Sequence, residues 1–247
     1  MELAFDSFVL VAATADLADE PAARDHADAV EFRMDMGTDP LAALSGYGGR
    51  LPLLVTNRPT WEGGDAAPGS DRVEALERAV EHEAVAAVDI ELAALDPDAA
   101  VTDPGGADSR PDDRADPAAV RDLVDRARAT DTAVVVSTHD FEGTPDRDRL
   151  QALLSAAGEC GDVAKLAVTA DGPGDVLDVL AATWAATAAG ETVATMAMGE
   201  AGRHSRAVAP LYGSRIGYAP VDPAAATAPG QYDLATLARL VDRLGNG

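Results

Sequence analysis

Residues 132–138, TAVVVST, and residues 162–168, DVAKLAV, are two short runs of β-branched and apolar side chains that decide the predicted fold. Between them, residues 146–157 repeat apolar side chains at helical spacing. A strand, a helix and a second strand in this order predict a βαβ unit, in which the two strands lie parallel in one sheet.

The same alternation extends over the whole chain of 247 residues. Six further apolar runs occupy residues 8–13, 29–33, 51–56, 85–91, 192–198 and 215–219, and further amphipathic stretches occupy residues 71–83, 116–129, 174–188 and 232–244. Eight strand-helix repeats favour a closed (β/α)8 TIM barrel over an open doubly wound sheet. Residues 96–115 are rich in Asp, Pro and Gly, which predicts an acidic loop inserted into one domain spanning residues 1–247.

The charge balance restricts the partners that the protein can bind. With 43 acidic and 19 basic residues, the net charge is -24, which argues against nucleic acid and anionic membranes. An anionic small-molecule substrate therefore needs a local basic pocket. No uncharged stretch is long enough to cross a bilayer, and one cysteine, Cys160, excludes a disulfide scaffold, so we expect a cytoplasmic protein.

The choice among charged residues is also biased. Asp outnumbers Glu by 30 to 13, and Arg outnumbers Lys by 18 to 1. This pattern predicts a salt-adapted protein of the kind that halophilic archaea make, because molar salt screens the self-repulsion of an acidic surface. It also makes Lys165 conspicuous, since an amine can lose its proton whereas a guanidinium stays charged.

Polar side chains with catalytic potential recur where the predicted strands end. In a barrel, the carboxyl ends of the strands form one rim, and active sites lie there. The strand-end candidates are Glu31, Arg33, Arg58, Glu91, His139 and Lys165, and two further candidates from later loops are Arg206 and Gln231.

Lys165 and His139 are the strongest candidates. Period-two alternation places Lys165 on one strand face with Val163 and Ala167, so we expect apolar surroundings that favour a neutral amine able to form a Schiff base. His139 closes the preceding strand and suits proton transfer, with Glu91 on the strand before it fixing the tautomer.

Two other interpretations of the same region are weaker. A metal site formed by Asp89, Glu91 and His139 lacks a second histidine at ligand spacing. A serine triad from Ser137, His139 and Asp140 is disfavoured, because these residues are sequence neighbours.

The order and spacing of the motifs resemble the type I 3-dehydroquinate dehydratases of the shikimate pathway over nearly the whole chain. The motifs that carry the resemblance are EFRMD at 31–35, TNR at 56–58, EGG at 62–64, VDIEL at 88–92, STHDF at 137–141, DVAK at 162–165, MAMG at 196–199, SR at 205–206, YGS at 212–214 and TAPGQ at 227–231.

The resemblance implies a mechanism without metal or organic cofactor, in which Lys165 forms an imine with 3-dehydroquinate and His139 moves the protons. It also implies that Glu91 pairs with His139 and that the protein assembles as a homodimer. In the substrate-binding set, Glu31, Arg33 and Arg58 hold hydroxyls, Arg206 and Gln231 bind the carboxylate, and Thr227 and Met198 complete the pocket.

Two other functions remain open from the sequence. A class I aldolase uses the same imine to cleave a carbon-carbon bond, but the chain has no Gly-rich phosphate loop after its last two predicted strands. A non-catalytic barrel that binds a polyhydroxy acid needs no reactive amine, so a trappable imine at Lys165 distinguishes it from both enzymes.

Overall fold

A computed structural model describes residues 3–98, 114–222, 224 and 228–245. Within these residues, eight strands form one parallel sheet in the order β7-β6-β5-β4-β3-β2-β1-β8. The strands are β1 Val9–Thr14, β2 Ala29–Arg33, β3 Leu53–Thr56, β4 Val85–Glu91, β5 Ala133–Asp140, β6 Val163–Thr169, β7 Val193–Met198 and β8 Ile216–Pro220.

The sheet closes on itself at the seam between β7 and β8. The backbone N–H of Arg215, just before β8, donates to the Val193 carbonyl at 2.7 Å. The Thr195 N–H donates to Ser214 Oγ at 2.9 Å, so a side chain replaces a ladder bond there. The predicted (β/α)8 TIM barrel is therefore confirmed.

Helices follow the strands and cover the outside of the barrel. They are α1 Glu20–Ala23, α2 Pro40–Ser45, α3 Ser70–Ala79, α4 Leu92–Leu95, α5 Pro117–Ala129, α6 Arg147–Cys160, α7 Pro173–Ala188, α8 Gly199–Gly202, α9 Ser205–Val208 and α10 Leu234–Gly245. The side chains of Asp116 and Asp146 accept backbone N–H groups at the starts of α5 and α6, as expected of N-caps. In the described part of the chain, no helix is long and apolar enough to span a membrane.

The inner face of the barrel changes character along each strand. Ala87 on β4 and Val135 on β5 belong to an apolar cluster that fills the barrel interior. One step further along the same faces lie Asp89 and Ser137, both fully buried. The apolar layer supports a layer of ionisable groups near the carboxyl ends of the strands, which is where the chemistry is expected.

Several element boundaries differ from the sequence prediction by a few residues. Strand β5 continues to Asp140, two residues past the predicted end, so His139 lies within the strand. The third helix ends at Ala79 instead of residue 83. The predicted acidic loop at residues 96–115 falls largely outside the described residues, which include only its two ends.

Candidate active site

A cavity at the carboxyl ends of the strands collects most of the predicted site residues. Those that line it are Glu31, Arg33, Arg58, His139, Lys165, Met198, Arg206 and Gln231. Glu91 does not line this cavity, and Thr227 lies outside the described residues. Eight of the ten candidates thus meet in one place: five lie on strands β2, β5, β6 and β7, and the other three lie just after β3, in α9 and in the loop before α10.

The Lys165 amine is buried and has two close neighbours. Its Nζ atom lies 2.8 Å from Asp89 Oδ2 and 4.7 Å from the centre of the Tyr218 ring. The prediction that the amine has apolar surroundings is therefore wrong on one side, where the Asp89 carboxylate from β4 reaches the amine across β5. Lys165 is 5% exposed, so solvent reaches it only through the cavity.

Arg58 and the carboxylates of β4 form a buried ion network beneath the cavity. Arg58 donates to Asp89 Oδ1 at 2.6 Å, to Glu91 Oε1 at 2.9 Å and to Ser137 Oγ at 2.8 Å. Burial alone would raise the pKa of Asp89, but the adjacent cations Arg58 and Lys165 hold it well below its ordinary value. Asp89 is consequently an anion that orients the Lys165 amine, and its carboxylate is too weak a base to take a proton from that amine.

The same ion network bears on the two other interpretations of this region, the serine triad and the metal site. Ser137 Oγ donates to Asp89 Oδ1 at 2.6 Å, so this hydroxyl belongs to the ion network and not to a triad with His139. The oxygens of Asp89 and Glu91 are engaged by Arg58, Lys165 and Arg72. Among the described residues, no group of three or more metal-ligating side chains has the arrangement to hold an ion.

The predicted contact between Glu91 and His139 is wrong. Strand register pairs Glu91 with Ser137, two residues before His139, which places its carboxylate one layer deeper in the barrel. There it lies 2.8 Å from the buried Arg72 guanidinium and 2.9 Å from Arg58. Glu91 therefore holds the arginines beneath the site.

The carboxylate that contacts His139 is Glu62. It lies in a 3-10 turn, Thr60–Glu62, after β3, and its Oε1 atom is 2.8 Å from His139 Nδ1 and accepts the His139 backbone N–H at 3.1 Å. The sequence contained a signal for this turn, since two glycines follow Glu62. In the structure, the first of them, Gly63, has a positive φ of 77°. A side chain at Gly63 would overlap the Phe141 ring, which stacks on His139 at 6.0 Å between ring centres.

Burial shifts both members of the Glu62–His139 pair toward their neutral forms. It raises the pKa of Glu62 to about 8, although Arg58 opposes this shift. Burial, with the neighbouring Arg58 and Lys165 charges, lowers the pKa of His139 well below 6.5. The pair holds one titratable proton below about pH 8, and its loss leaves Nδ1–H bound to an ionised Glu62 and Nε2 free to accept a proton.

Arg206 is a buried cation with no anionic partner in the described part of the chain. It is 4% exposed, and its guanidinium donates to the Pro229 carbonyl at 3.1 Å and contacts Met196 Sδ at 3.6 Å. Burial lowers its pKa to about 10, so it remains charged at neutral pH. In a chain of net charge -24, a buried arginine that is not paired with a carboxylate is suited to bind an external anion.

The other polar lining groups are partly engaged by the protein. Thr56 Oγ1 donates to Glu31 Oε1 at 2.9 Å, and Arg33 forms a two-bonded ion pair with Asp35 at 2.9 and 2.6 Å. Gln231 Oε1 accepts the Ala228 N–H at 3.2 Å, which shapes the turn beside Arg206. Glu31 keeps acceptor capacity for a ligand hydroxyl.

Fold and cavity together define a (β/α)8 barrel in which a central lysine, a histidine-carboxylate pair and a buried arginine border one cavity. Residues 8–246 match the sequence profile of type I 3-dehydroquinase. The chain belongs to the type I 3-dehydroquinase family.

Individual relatives agree with this assignment. The chain is 58% identical over 240 residues to 3-dehydroquinate dehydratase of Haloarcula marismortui, covering 97% of each chain, and 52% identical over 237 residues to that of Halobacterium salinarum, covering 96% and 97%. These relatives support the predicted halophilic archaeal origin. The crystal structure of 3-dehydroquinate dehydratase from Geobacillus kaustophilus superposes with a TM-score of 0.81 at 26% identity, covering 98% of this chain and 92% of that one.

Proposed function

We propose that this protein removes water from 3-dehydroquinate to give 3-dehydroshikimate, through an imine between the substrate ketone and Lys165. The observation that carries the proposal is the pairing of a buried amine with a buried arginine that has no carboxylate partner among the described residues, both in one cavity. The amine suits a ketone and the guanidinium suits a carboxylate, and 3-dehydroquinate carries both groups.

Lys165 acts as the nucleophile. The amine gives its proton to solvent and attacks the ketone carbon; the resulting carbinolamine takes up a proton and loses its oxygen as water, which leaves the protonated imine. Asp89, 2.8 Å from Nζ, keeps the amine directed into the cavity throughout. The protonated imine is a better electron sink than the ketone, so it stabilises the charge that develops when the neighbouring carbon loses a proton.

His139 moves the protons. Its free Nε2 takes a proton from the carbon next to the imine, and the electron pair moves to the imine nitrogen. The electrons then return as the hydroxyl leaves the following carbon, and His139 gives its proton to that hydroxyl, so that water departs. A second water hydrolyses the imine and releases the product and the Lys165 amine.

The remaining residues position these groups and the substrate. Glu62 holds the Nδ1 side of His139, the role that the sequence had given to Glu91. Arg206 and Gln231 bind the substrate carboxylate, and Glu31 and Arg33 bind ring hydroxyls. Because its donors are used by Asp89, Glu91 and Ser137, Arg58 acts mainly by holding Asp89 in place. Met198 packs against the ring.

The proposal is tested by near-ultraviolet absorbance in molar KCl, because dehydration creates a conjugated enone. The wild type is expected to produce the absorbance rise with 3-dehydroquinate, and Lys165→Ala is expected to abolish it while the circular dichroism stays unchanged. Borohydride treatment of the wild type with substrate should add the ligand mass to Lys165. No rise in a folded wild-type sample would contradict the dehydratase; a trapped ligand without the rise would favour an aldolase, and neither signal would favour a binding barrel.

We also propose that the enzyme works in the cytoplasm of a salt-adapted cell and assembles as a homodimer. The acidic composition supports adaptation to salt, and family membership supports the dimer. Light scattering in molar KCl measures the assembly directly, with a mass near 25.3 kDa contradicting the dimer.

A further inference from the structure

Tyr218 lies in the proposed site, and no step of the proposed reaction uses it. It is the third residue of β8, it lines the cavity, and its ring lies under the Lys165 amine. The sequence alone did not single it out, because an aromatic residue inside an apolar strand is typical of core packing. The contact with the amine needs only the ring, which a phenylalanine would supply equally well.

The hydroxyl of Tyr218 is therefore the unexplained part of the side chain. Tyr218 is 4% exposed, and its Oη atom is shielded from solvent and has no hydrogen-bond partner among the residues that the structure describes. Buried tyrosine hydroxyls usually find a partner, because an unpaired buried donor is unfavourable. Tyr47 follows that rule, since its Oη donates to the Leu51 carbonyl at 2.7 Å.

The surroundings make this hydroxyl a donor. Burial, reinforced by the carboxylates of Glu31 and Asp89, raises the pKa of Tyr218 well above its ordinary value, although Arg58 opposes the shift. The phenol therefore keeps its proton at neutral pH. A proton that is retained and unpaired is available to an acceptor that arrives with the ligand.

The barrel order indicates which acceptor it meets. His139 on β5 is one strand away from Lys165 on β6, whereas Tyr218 on β8 is two strands away in the opposite direction. In the proposed reaction, His139 works on the carbon at one side of the imine. A ligand held in this orientation has the carbon at the other side of the imine on the β8 side of Lys165, where Tyr218 lies, and in 3-dehydroquinate that carbon carries a hydroxyl.

We propose that Tyr218 Oη donates a hydrogen bond to the substrate hydroxyl next to the ketone, which makes Tyr218 a substrate-binding residue that selects for this hydroxyl. The inference rests on the proposed function, because it takes the imine at Lys165 as the fixed point of the ligand. The Lys165 amine lies over the Tyr218 ring, so a ligand joined to that amine lies beside Tyr218.

The test compares Tyr218→Phe with the wild type on two substrates in molar KCl: 3-dehydroquinate and its analogue without the hydroxyl next to the ketone. The variant removes one oxygen atom and retains the ring. We expect kcat/KM for 3-dehydroquinate to fall about tenfold, and kcat/KM for the analogue to stay unchanged. The melting temperature of the free variant should stay equal or rise, because an unpaired buried hydroxyl has been removed.

Tyr47→Phe is the matched control, and its expected behaviour is the opposite. It removes a hydroxyl that has a protein partner outside the cavity, so its melting temperature should fall while kcat/KM stays unchanged. Unchanged kcat/KM of Tyr218→Phe on 3-dehydroquinate would overturn the inference, and so would an equal loss on both substrates. An active wild type with either result contradicts only the inference, whereas an inactive wild type contradicts the proposed function as well.

Discussion

Replacing Arg206 by methionine should make the free protein more stable and its substrate binding weaker. Burial lowers the pKa of Arg206 from its ordinary value to about 10. Below pH 10 the guanidinium is charged in both the folded and the unfolded chain, so the folded state carries the whole cost of burying the charge. At 1.36 kcal/mol per factor of ten in proton binding, that cost is about 3 kcal/mol.

The variant also loses one interaction that favours the folded state. The hydrogen bond from Arg206 to the Pro229 carbonyl, 3.1 Å long, is worth about 1 kcal/mol. Methionine fills a similar volume and needs no partner. The free energy of unfolding at pH 7 should therefore rise by about 1 to 2 kcal/mol in Arg206→Met.

Binding should change in the other direction. A buried ion pair between a guanidinium and a carboxylate contributes about 2 to 5 kcal/mol when one partner is removed, so KM for 3-dehydroquinate should rise by about 10²-fold. Urea unfolding in molar KCl measures the first effect and the initial rate against substrate concentration the second. Arg203→Met is the control, because Arg203 lies over the Tyr232 ring at 4.3 Å and does not line the cavity.

The control should lose a little stability and retain its KM. If Arg206→Met unfolded more easily than the wild type, the assignment of Arg206 as an uncompensated buried charge would be refuted. If it kept the wild-type KM, the carboxylate would have to bind elsewhere.

Three further predictions concern the proton-transfer residues. His139→Ala should still let borohydride trap the substrate on Lys165, detected by mass spectrometry, while turnover falls by about 10²-fold or more; an unchanged rate would remove His139 from the reaction. Glu62→Gln should lower kcat by about 10²-fold, because Glu62 holds His139. Glu91→Gln should chiefly lower the melting temperature, because it removes the carboxylate that binds Arg58 and Arg72. The reverse pattern would show that Glu91 is the partner of His139. The kcat/KM of the wild type should rise with pH toward about 8, where the Glu62–His139 pair loses its proton. The kcat/KM of Glu62→Gln should not change between pH 6 and 8. If that variant showed the same rise, the rise would have to come from the titration of another group.

Sequence reasoning located the reactive groups because their positions follow from strand periodicity. Lys165 and His139 end up in one cavity since both lie on inward faces of neighbouring strands, and alternation predicts that much. The carboxylate beside His139 could not be found in this way. Glu62 comes from a loop 77 residues earlier, and the turn that brings it there depends on the packing of Gly63 against Phe141.

The adjacency of β4 and β5 led to the prediction that Glu91 contacts His139. That prediction was wrong because it did not take the register of the two strands into account. Neighbouring strands in a barrel are staggered, so two residues at the ends of adjacent strands need not lie in the same layer. Glu91 faces Ser137 instead of His139. The Asp89 contact with Lys165 escaped prediction for a related reason, since it passes over β5 from one strand to the next but one.

The distribution of charge has a consequence for how fast substrate arrives. Arg206 lies buried inside a molecule that carries an excess of 24 negative charges, so an anion outside is repelled until it enters the cavity mouth. In dilute buffer that repulsion extends over tens of ångströms, and at 1 M salt it ends within about 3 Å of the surface. We therefore expect salt to have two effects on this protein: screening reduces the mutual repulsion of its acidic surface groups, and it removes the repulsion between the surface and an anionic ligand. Association with such a ligand should accelerate with ionic strength, whereas salt slows association that depends on electrostatic attraction.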